Sequence, residues 1–176
     1  VRPTCTVAIT RDIGEGVVRV TTSDDPVVRV RVKATVGAEQ AEAAQDLADQ
    51  VKLQLDSPPS MERVDIKVTG PSPQEKTKIA IKLDYEVTVP AGANVICKNE
   101  WGDTEISGVT GSVEIDSRFG AIDLRNIGGP VRARAWGEFP LRASQLRQGG
   151  TFELQGTQGE FANVSGALKI SNFMGS

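Results

Sequence analysis

The sequence predicts a mainly β protein in which an N-terminal β-sheet region with one helix continues into a short, glycine-punctuated β-solenoid. Glycines recur with a period of about 18 residues, which suits a solenoid coil of two short strands and two turns and is too short for a helical-hairpin repeat or a propeller blade. The segments between them alternate apolar and polar residues, as half-buried strands do. Full periods begin at Gly102, Gly120, Gly137 and Gly159, with half-period glycines at Gly111, Gly129, Gly150 and Gly166.

The N-terminal region is expected to span residues 1–90. Segments rich in β-branched residues predict strands at residues 5–9, 16–20 and 27–32. Turn-forming residues between these segments connect them. The region therefore begins as a small sheet.

One helix is predicted over residues 38–55. Glu39 and Glu42 lie in its first turn, where acidic residues stabilise a helix, and Pro58 follows its end. Its apolar residues follow three- and four-residue spacing at Ala44, Leu47, Ala48, Val51 and Leu55.

Two further strands and a loop complete the N-terminal region. Strands are predicted at residues 63–69 and 78–89, with an exposed loop at 70–76 between them. The second strand alternates regularly, with Ile79, Ile81, Leu83, Tyr85, Val87 and Val89 on one face. No Ser/Gly-rich linker precedes residue 91. We therefore expect the N-terminal sheet to continue into the solenoid, about four coils over residues 91–176, with the helix covering one end or face.

Aligning the second half of each coil predicts two inward apolar columns and one outward charged column. The inward columns are Val113/Val131/Phe152/Leu168 and Ile115/Ala133/Leu154/Ile170, and the outward column is Glu114/Arg132/Glu153/Lys169. Alternating charge suits strands about 4.8 Å apart. Each exposed pair contributes only about 0.2–1 kcal/mol, so the column specifies register more than it adds stability.

The first halves align less regularly. The expected inward columns are Thr104/Ile122/Phe139/Phe161 and Ile106/Leu124/Leu141. Pro140 then falls on an outward strand position, where it removes a ladder donor. The third coil has surplus residues at 144–148, which are expected to protrude as a loop.

Composition and charge exclude several classes of function. A net charge of −3 and interleaved arginines and acids argue against a nucleic-acid partner. No stretch reaches the roughly 20 apolar residues of a membrane span. The chain contains no histidine, which removes the usual catalytic triads and imidazole metal sites. We expect a non-enzymatic protein with no cofactor and no metal.

Carboxylates and aromatics are the remaining chemical candidates. Glu105 and Asp123 are predicted neighbours on adjacent coils, where they could bind calcium or form an acid/base pair. The favoured alternative is a solvated face on which acids pair with arginines. The aromatic residues near the turns could stack on sugars or, as we favour, on one another: Trp101, Phe119, Trp136 and Phe173.

The two cysteines leave two alternatives open. A disulfide between Cys5 and Cys97 would tie the first strand to the start of the solenoid and would suit an exported protein. Two unpaired thiols are the other alternative. The chain begins at Val1 rather than Met, so a processed product or a fragment is expected, and a removed export signal is consistent with this.

Three segments resemble the bacterial family known as putative adhesins. They are Val89-Pro90-Ala91-Gly92-Ala93-Asn94-Val95, the run from Trp101-Gly102-Asp103 to Gly108-Val109-Thr110-Gly111, and Phe119-Gly120-Ala121-Ile122-Asp123-Leu124. The resemblance covers residues 63–176. It implies an exported or envelope-associated β-solenoid, and it supplies no catalytic residues.

These observations predict an exported adhesion or scaffold module of the cell envelope or surface, binding protein or glycan. Binding is assigned to the loop around Leu146 or to the open last coil near Phe173, through which copies would assemble. The alternative is a carbohydrate-binding or carbohydrate-active β-helix. The candidate ligand or assembly face comprises Trp101, Glu105, Asp123, Trp136, Leu146 and Phe173.

Overall fold

The computed structural model describes residues 5–38, 41–58, 60, 62–71 and 80–173. Within these residues the chain forms fifteen strands and one helix, α1 (Ala41–Gln50). The strands are β1 (Thr6–Arg11), β2 (Val17–Ser23), β3 (Arg29–Gly37), β4 (Lys52–Asp56), β5 (Arg63–Thr69), β6 (Ala80–Pro90), β7 (Asn94–Trp101), β8 (Asp103–Ser107), β9 (Val113–Phe119), β10 (Ile122–Ile127), β11 (Val131–Trp136), β12 (Leu141–Leu146), β13 (Gly150–Gln155), β14 (Gly159–Val164) and β15 (Leu168–Phe173).

The strands form two mostly parallel sheets. The eight-stranded sheet has the order β15-β13-β11-β9-β7-β1-β5-β4, and the seven-stranded sheet has the order β14-β12-β10-β8-β2-β6-β3. Antiparallel pairing occurs between β4 and β5 and between β3 and β6, at one end of each sheet. The protein is therefore mainly β, as the sequence predicts.

From β7 onward, consecutive strands alternate between the two sheets. Each strand from β7 to β13 therefore pairs in parallel with the second strand after it. Val95 pairs with Val113, Val113 with Val131, and Val131 with Gly150, so register partners lie 18 or 19 residues apart. The glycine period of the sequence is thus the spacing between neighbouring strands of one sheet.

The N-terminal strands belong to the same two sheets. β1 lies beside β7 in the larger sheet, and β2 lies beside β8 in the smaller one. One continuous cluster of buried side chains runs from Val7 on β1 to Leu154 on β13. Residues before and after position 90 therefore share a single core.

The predicted helix is too long. The observed helix spans Ala41–Gln50, and residues 52–55, which the sequence pattern placed in the helix, belong to strand β4 instead. β4 pairs antiparallel with β5, and its side chains are all exposed. The Lys-Leu-Gln-Leu-Asp segment fits a period of 2 as well as a helical spacing, and the available edge of β5 decides between them. α1 lies against β3, at the end of the smaller sheet.

The alternating strand preceding residue 90 is confirmed as β6. Leu83, Tyr85, Val87 and Val89 are buried on one face, as predicted. Ile79 and residues 72–76 of the predicted loop lie outside the described residues.

The predicted register of the second halves is wrong by two residues at β13. Gly150, not Phe152, lies between Val131 and Leu168. Phe152 instead lies between Ala133 and Ile170. A shift of two residues leaves every side chain on the same face, so apolar alternation cannot detect it.

The predicted charged column is corrected by the same shift. It reads Glu114, Arg132, Thr151 and Lys169 across the larger sheet. Glu153 is the register partner of Arg134, whose Nε lies 3.1 Å from its carboxylate. It also contacts Arg132 at 3.7 Å.

The first halves show a corresponding shift in the third coil. Leu141, rather than Phe139, pairs with Ile122. Phe139 and Pro140 precede β12, and the Phe139 side chain is exposed. The Pro140 carbonyl accepts a hydrogen bond from the Ile122 amide. Because Pro140 precedes β12, its lack of an N–H removes no donor from within the strand.

No protruding loop forms at residues 144–148, because Ser144–Leu146 ends strand β12. Leu146 is completely buried and pairs with Ile127 and Val164. The surplus lies earlier, because four residues separate β11 from β12 whereas two separate β9 from β10. The residue just before Leu146, Gln145, is left-handed with a φ of 57°. The equivalent residues of β10 and β14, Asn126 and Asn163, have φ values of 52° and 53°.

Candidate functional site

A row of seven charged residues crosses the outer face of the smaller sheet, one from each strand. We call this set the charged row. In order from β3 to β14 it comprises Arg31, Glu86, Arg19, Glu105, Asp123, Arg142 and Glu160. The sign alternates along the row except at the step between Glu105 and Asp123.

Strand alternation places these side chains on one face. Arg19 lies between buried Val18 and Val20, and Asp123 lies between buried Ile122 and Leu124. Neighbouring residues on a strand point to opposite faces, so a buried residue on each side directs the charged one outward. In-register parallel pairing then aligns the outward residues across the sheet.

Most charges of the row are paired within the chain. Arg19 Nε lies 2.8 Å from the Glu105 carboxylate. Hydrogen bonding to Glu105, followed by its charge, raises the pKa of the Arg19 guanidinium above its usual value. At the far end, Arg142 Nε donates to Glu160 at 3.0 Å. These pairs lie at the surface, so each contributes little to folding stability.

The like-charged step is neutralised by an arginine outside the row. Arg125 follows Asp123 by two residues on β10, on the same face, and its Nε donates to Asp123 Oδ1 at 2.8 Å. The hydrogen bond and charge of Asp123, with a smaller contribution from Glu105, raise the pKa of Arg125. Glu105 and Asp123 are thus brought together, but each holds an arginine that a bound cation would have to displace.

A second register line runs beside the row on one side. It contains Arg29, Thr88, Thr21, Ser107, Arg125, Ser144 and Ala162, and four of these seven side chains carry hydroxyl groups. Shallow grooves run on both sides of the Arg125 side chain, between the charged row and this line. The face therefore offers alternating charge beside hydroxyl groups and has no deep cavity among these residues.

No model of a known protein family matches the chain, and no curated protein matches its sequence significantly. Among solved structures, the chain is similar to the crystal structure of a putative cell adhesion protein from Clostridium sporogenes ATCC 15579. The identity is 8%, the match covers 97% of this chain and 93% of that one, and the TM-score is 0.29. A TM-score of this size does not establish a shared fold.

Two properties of the described residues concern metal binding and membrane-spanning helices. They contain no group of three or more acidic or cysteine side chains placed to hold a metal ion. They also include no helix whose length and apolarity would let it cross a bilayer.

Trp101 and Phe119 stack on each other at the corner where β7 and β9 end. Their ring centroids are 4.5 Å apart and their planes differ by 18°. Each ring therefore covers one face of the other. These two aromatic residues therefore stack on one another, the alternative that we favour from the sequence, and both remain partly exposed.

The six predicted site residues do not form one face. Glu105 and Asp123 lie on the smaller sheet, whereas Trp136 and Phe173 are register partners of Gln155 on the larger one. Leu146 belongs to the core. Its assignment to a binding loop is therefore wrong, because β12 continues through it.

The disulfide alternative is not realised, since Cys5 and Cys97 are both free. Cys97 pairs in register with Ile9, while the Cys5 carbonyl accepts a hydrogen bond from Asn94. Ile9 is four residue steps beyond Cys5, about 13 Å along an extended chain. A disulfide requires Cα atoms within about 7 Å.

Sequence reasoning missed a buried polar cluster around Arg11. This side chain is only 1% exposed, and burial lowers the pKa of its guanidinium. A usable signal was present, because Arg11 continues the inward series of Val7 and Ile9. Sequence reasoning also missed the charged row. The signal for this row is a charged residue between two apolar residues, repeated in successive segments.

Proposed function

We propose that the protein is a non-enzymatic adhesion or scaffold module of the cell envelope or surface, exported from the cell and built on a β-solenoid. The observation that carries this proposal is the charged row. It is an ordered set of seven side chains, held by the seven strands of the smaller sheet and directed away from the core.

Support for a solenoid comes from strand order. Each strand from β7 to β13 adds to the sheet that its predecessor does not belong to, with register partners 18 or 19 residues apart. Such stacking produces long regular faces, which suit binding to extended surfaces. Export and surface location are supported by the sequence segments that resemble the adhesin family.

Support for binding rather than catalysis comes from the chemistry of the row. Three of its four carboxylates, those of Glu105, Asp123 and Glu160, accept hydrogen bonds from arginines. Catalytic acids and bases instead have environments that push their pKa values toward the working pH. A regular, neutralised face is better suited to recognition of a charged protein surface.

A second route to association is the edge of β15. Leu168, Ile170 and Phe173 are 40%, 45% and 66% exposed on this strand. An exposed edge strand with apolar side chains can pair with another chain. We include edge pairing in the proposal as a contact separate from the charged row.

The proposal is tested by the binding of protein-coated beads to three kinds of surface, which carry proteins, glycans or uronate polymers. The test variant is Arg19→Gln/Glu105→Gln/Arg142→Gln, which removes charge from the row. The matched control is Lys98→Gln/Glu114→Gln/Arg132→Gln on the outer face of the other sheet. We expect binding to at least one surface or to coated beads, with about tenfold loss in the test variant only. Equal binding by both variants, or none in any arm, contradicts the proposal.

A further inference from the structure

We propose that the partner of the charged row is the charged row of a second copy of this chain. The two copies would pack face to face, related by a two-fold axis that runs parallel to the strands and over β8. This inference rests on the proposed function, because it names the partner of the face already assigned to binding.

The order of charges carries the proposal, because it is complementary to its own reverse. Rotation about an axis over β8 reverses the row and leaves each residue at the same height along the strands. Arg31 then faces Glu160 of the second copy, Glu86 faces Arg142, and Arg19 faces Asp123. Two-fold symmetry repeats each contact, so six of the seven facing positions join opposite charges.

The seventh position lies on the axis, where Glu105 faces Glu105 of the second copy. Two arginines of each copy surround it. Arg19 Nε is 2.8 Å from its carboxylate, and Arg125 lies close enough to interact with it through charge. Four arginines therefore surround two glutamates at the centre, which removes the repulsion between them.

The adjoining register line fits the same operation. Thr21 faces Arg125 of the second copy, Thr88 faces Ser144, and Ser107 faces Ser107. Hydroxyl groups can donate and accept hydrogen bonds in any of these pairs. Their small size lets the longer charged side chains of the neighbouring row approach one another.

Strand spacing and alternation select this partner over a polymer of uniform charge. Neighbouring charges of the row lie about 4.8 Å apart, a spacing that another β-sheet reproduces. A polyanion such as nucleic acid or a uronate glycan would meet a carboxylate at four of the seven positions. A second copy meets a complementary charge at six positions without any change in its structure.

The size of the face predicts a weak, salt-sensitive complex. Six strand spacings by about five residues cover roughly 30 by 17 Å, or about 500 Å² per copy. This is at the small end for specific interfaces, so we expect a dissociation constant of about 10–100 µM. Facing residues extend the isolated ion pairs into networks, and networks of exposed charges are screened by salt.

Analytical ultracentrifugation at 10 mM and 500 mM NaCl tests the inference. We expect reversible dimers at low salt, weakened about tenfold or more at high salt. Arg31→Glu and Glu160→Arg should each abolish self-association, since each places like charges at two symmetry-related contacts. An equimolar mixture of these two variants should form a heterodimer, because both contacts between them are again complementary. The control Arg132→Glu carries the charge change of Arg31→Glu on the other sheet and should dimerise normally.

Several outcomes overturn the inference. One is a chain that stays monomeric at millimolar concentration in 10 mM NaCl, and another is a mixture of the two variants that forms no heterodimer. Dimers lost in Ile170→Lys but unchanged in Arg31→Glu would assign association to the β15 edge. Coated beads could instead bind a foreign surface through the charged row and never bind one another. This result would support the proposed function and exclude a second copy as the partner of the row.

Discussion

Arg11 and Asn99 are register neighbours on β1 and β7, and Arg11 Nε donates to Asn99 Oδ1 at 2.8 Å inside the core. Arg11 Nη1 also donates to the Leu83 carbonyl at 3.1 Å, in the opposite sheet. Asn99 Nδ2 in turn donates to Thr104 Oγ1 at 2.9 Å. One buried cation and one amide therefore connect the two sheets where the N-terminal strands meet the repeats.

This pair predicts a non-additive pattern of mutational effects. Asn99→Leu should cost about 3–5 kcal/mol, because it leaves the buried Arg11 charge without its side-chain acceptor. Arg11→Met should cost about 1–3 kcal/mol through the acceptors it leaves unpaired. The double variant should cost less than the sum, since both polar groups are then gone. Urea unfolding measures all three.

The exposed pair of Arg63 and Asp65, 2.7 Å apart, supplies the control. Arg63→Met should change the free energy of unfolding by less than about 1 kcal/mol. Additive effects in the Arg11 and Asn99 variants would show that the two residues are not energetically coupled.

Substitution of Gly120 by alanine should destabilise the fold through a steric clash that the same substitution at Gly92 does not cause. A Cβ atom on Gly120 would overlap the backbone of Gly102, the residue between β7 and β8, whereas one on Gly92 would meet nothing within 4 Å. Gly120→Ala should therefore cost about 3 kcal/mol, because backbone atoms of a packed stack cannot move aside readily. Gly92→Ala should be neutral or stabilise by about 0.4–1 kcal/mol. Thermal unfolding of both variants distinguishes them, and equal effects would exclude close stacking at Gly102.

Because Leu146 is buried in the core rather than in the loop that the sequence suggested, its truncation should lower the free energy of unfolding. Leu146→Ala should cost about 2–5 kcal/mol, because it removes buried apolar volume beside Ile127 and Val164. Arg147→Ala, one residue further and exposed, should change the unfolding free energy by less than about 0.5 kcal/mol. Guanidinium denaturation provides both values. Similar small effects would place Leu146 at the surface.

Cys97 predicts a loss of stability at alkaline pH. Burial raises the pKa of its thiol to about 12. In the unfolded chain a cysteine ionises near pH 8.5, so the folded state binds the extra proton between these values. Stability from this group is full below about pH 8.5 and declines as pH rises toward 12.

Between pH 8 and 10 the unfolding free energy should therefore fall by about 2 kcal/mol through Cys97. Cys97→Ala should remove most of this decline, whatever its effect at pH 7. Cys5→Ala serves as the control, because the Cys5 thiol is only partly buried and should contribute less. Parallel pH profiles for the native chain and Cys97→Ala would refute this origin of the alkaline sensitivity.

How far the sequence could predict the structure depends on the kind of pattern. The buried face of β6 follows from strict alternation, and Leu83, Tyr85 and Val87 lie where that alternation places them. The helix boundary did not follow, because residues 52–56 are compatible with two periods and only the free edge of β5 selects the strand.

The candidate site was predicted in part. Glu105 and Asp123 are register neighbours, as the glycine spacing indicates. Their arginine partners were not predicted, because Arg19 is 86 residues from Glu105 in the chain and meets it only through the pairing of β2 with β8.

The sequence by itself determined the mainly β character, the spacing of about 18 residues and the face of each strand, because these depend on local periodicity. Tertiary structure alone decided register, since a shift of two residues keeps every face unchanged while replacing every cross-strand neighbour. That choice placed Leu146 in the core, linked Arg11 with Asn99, and aligned seven charges from distant segments into one row. Such contacts depend on which strands become neighbours, which no local pattern specifies.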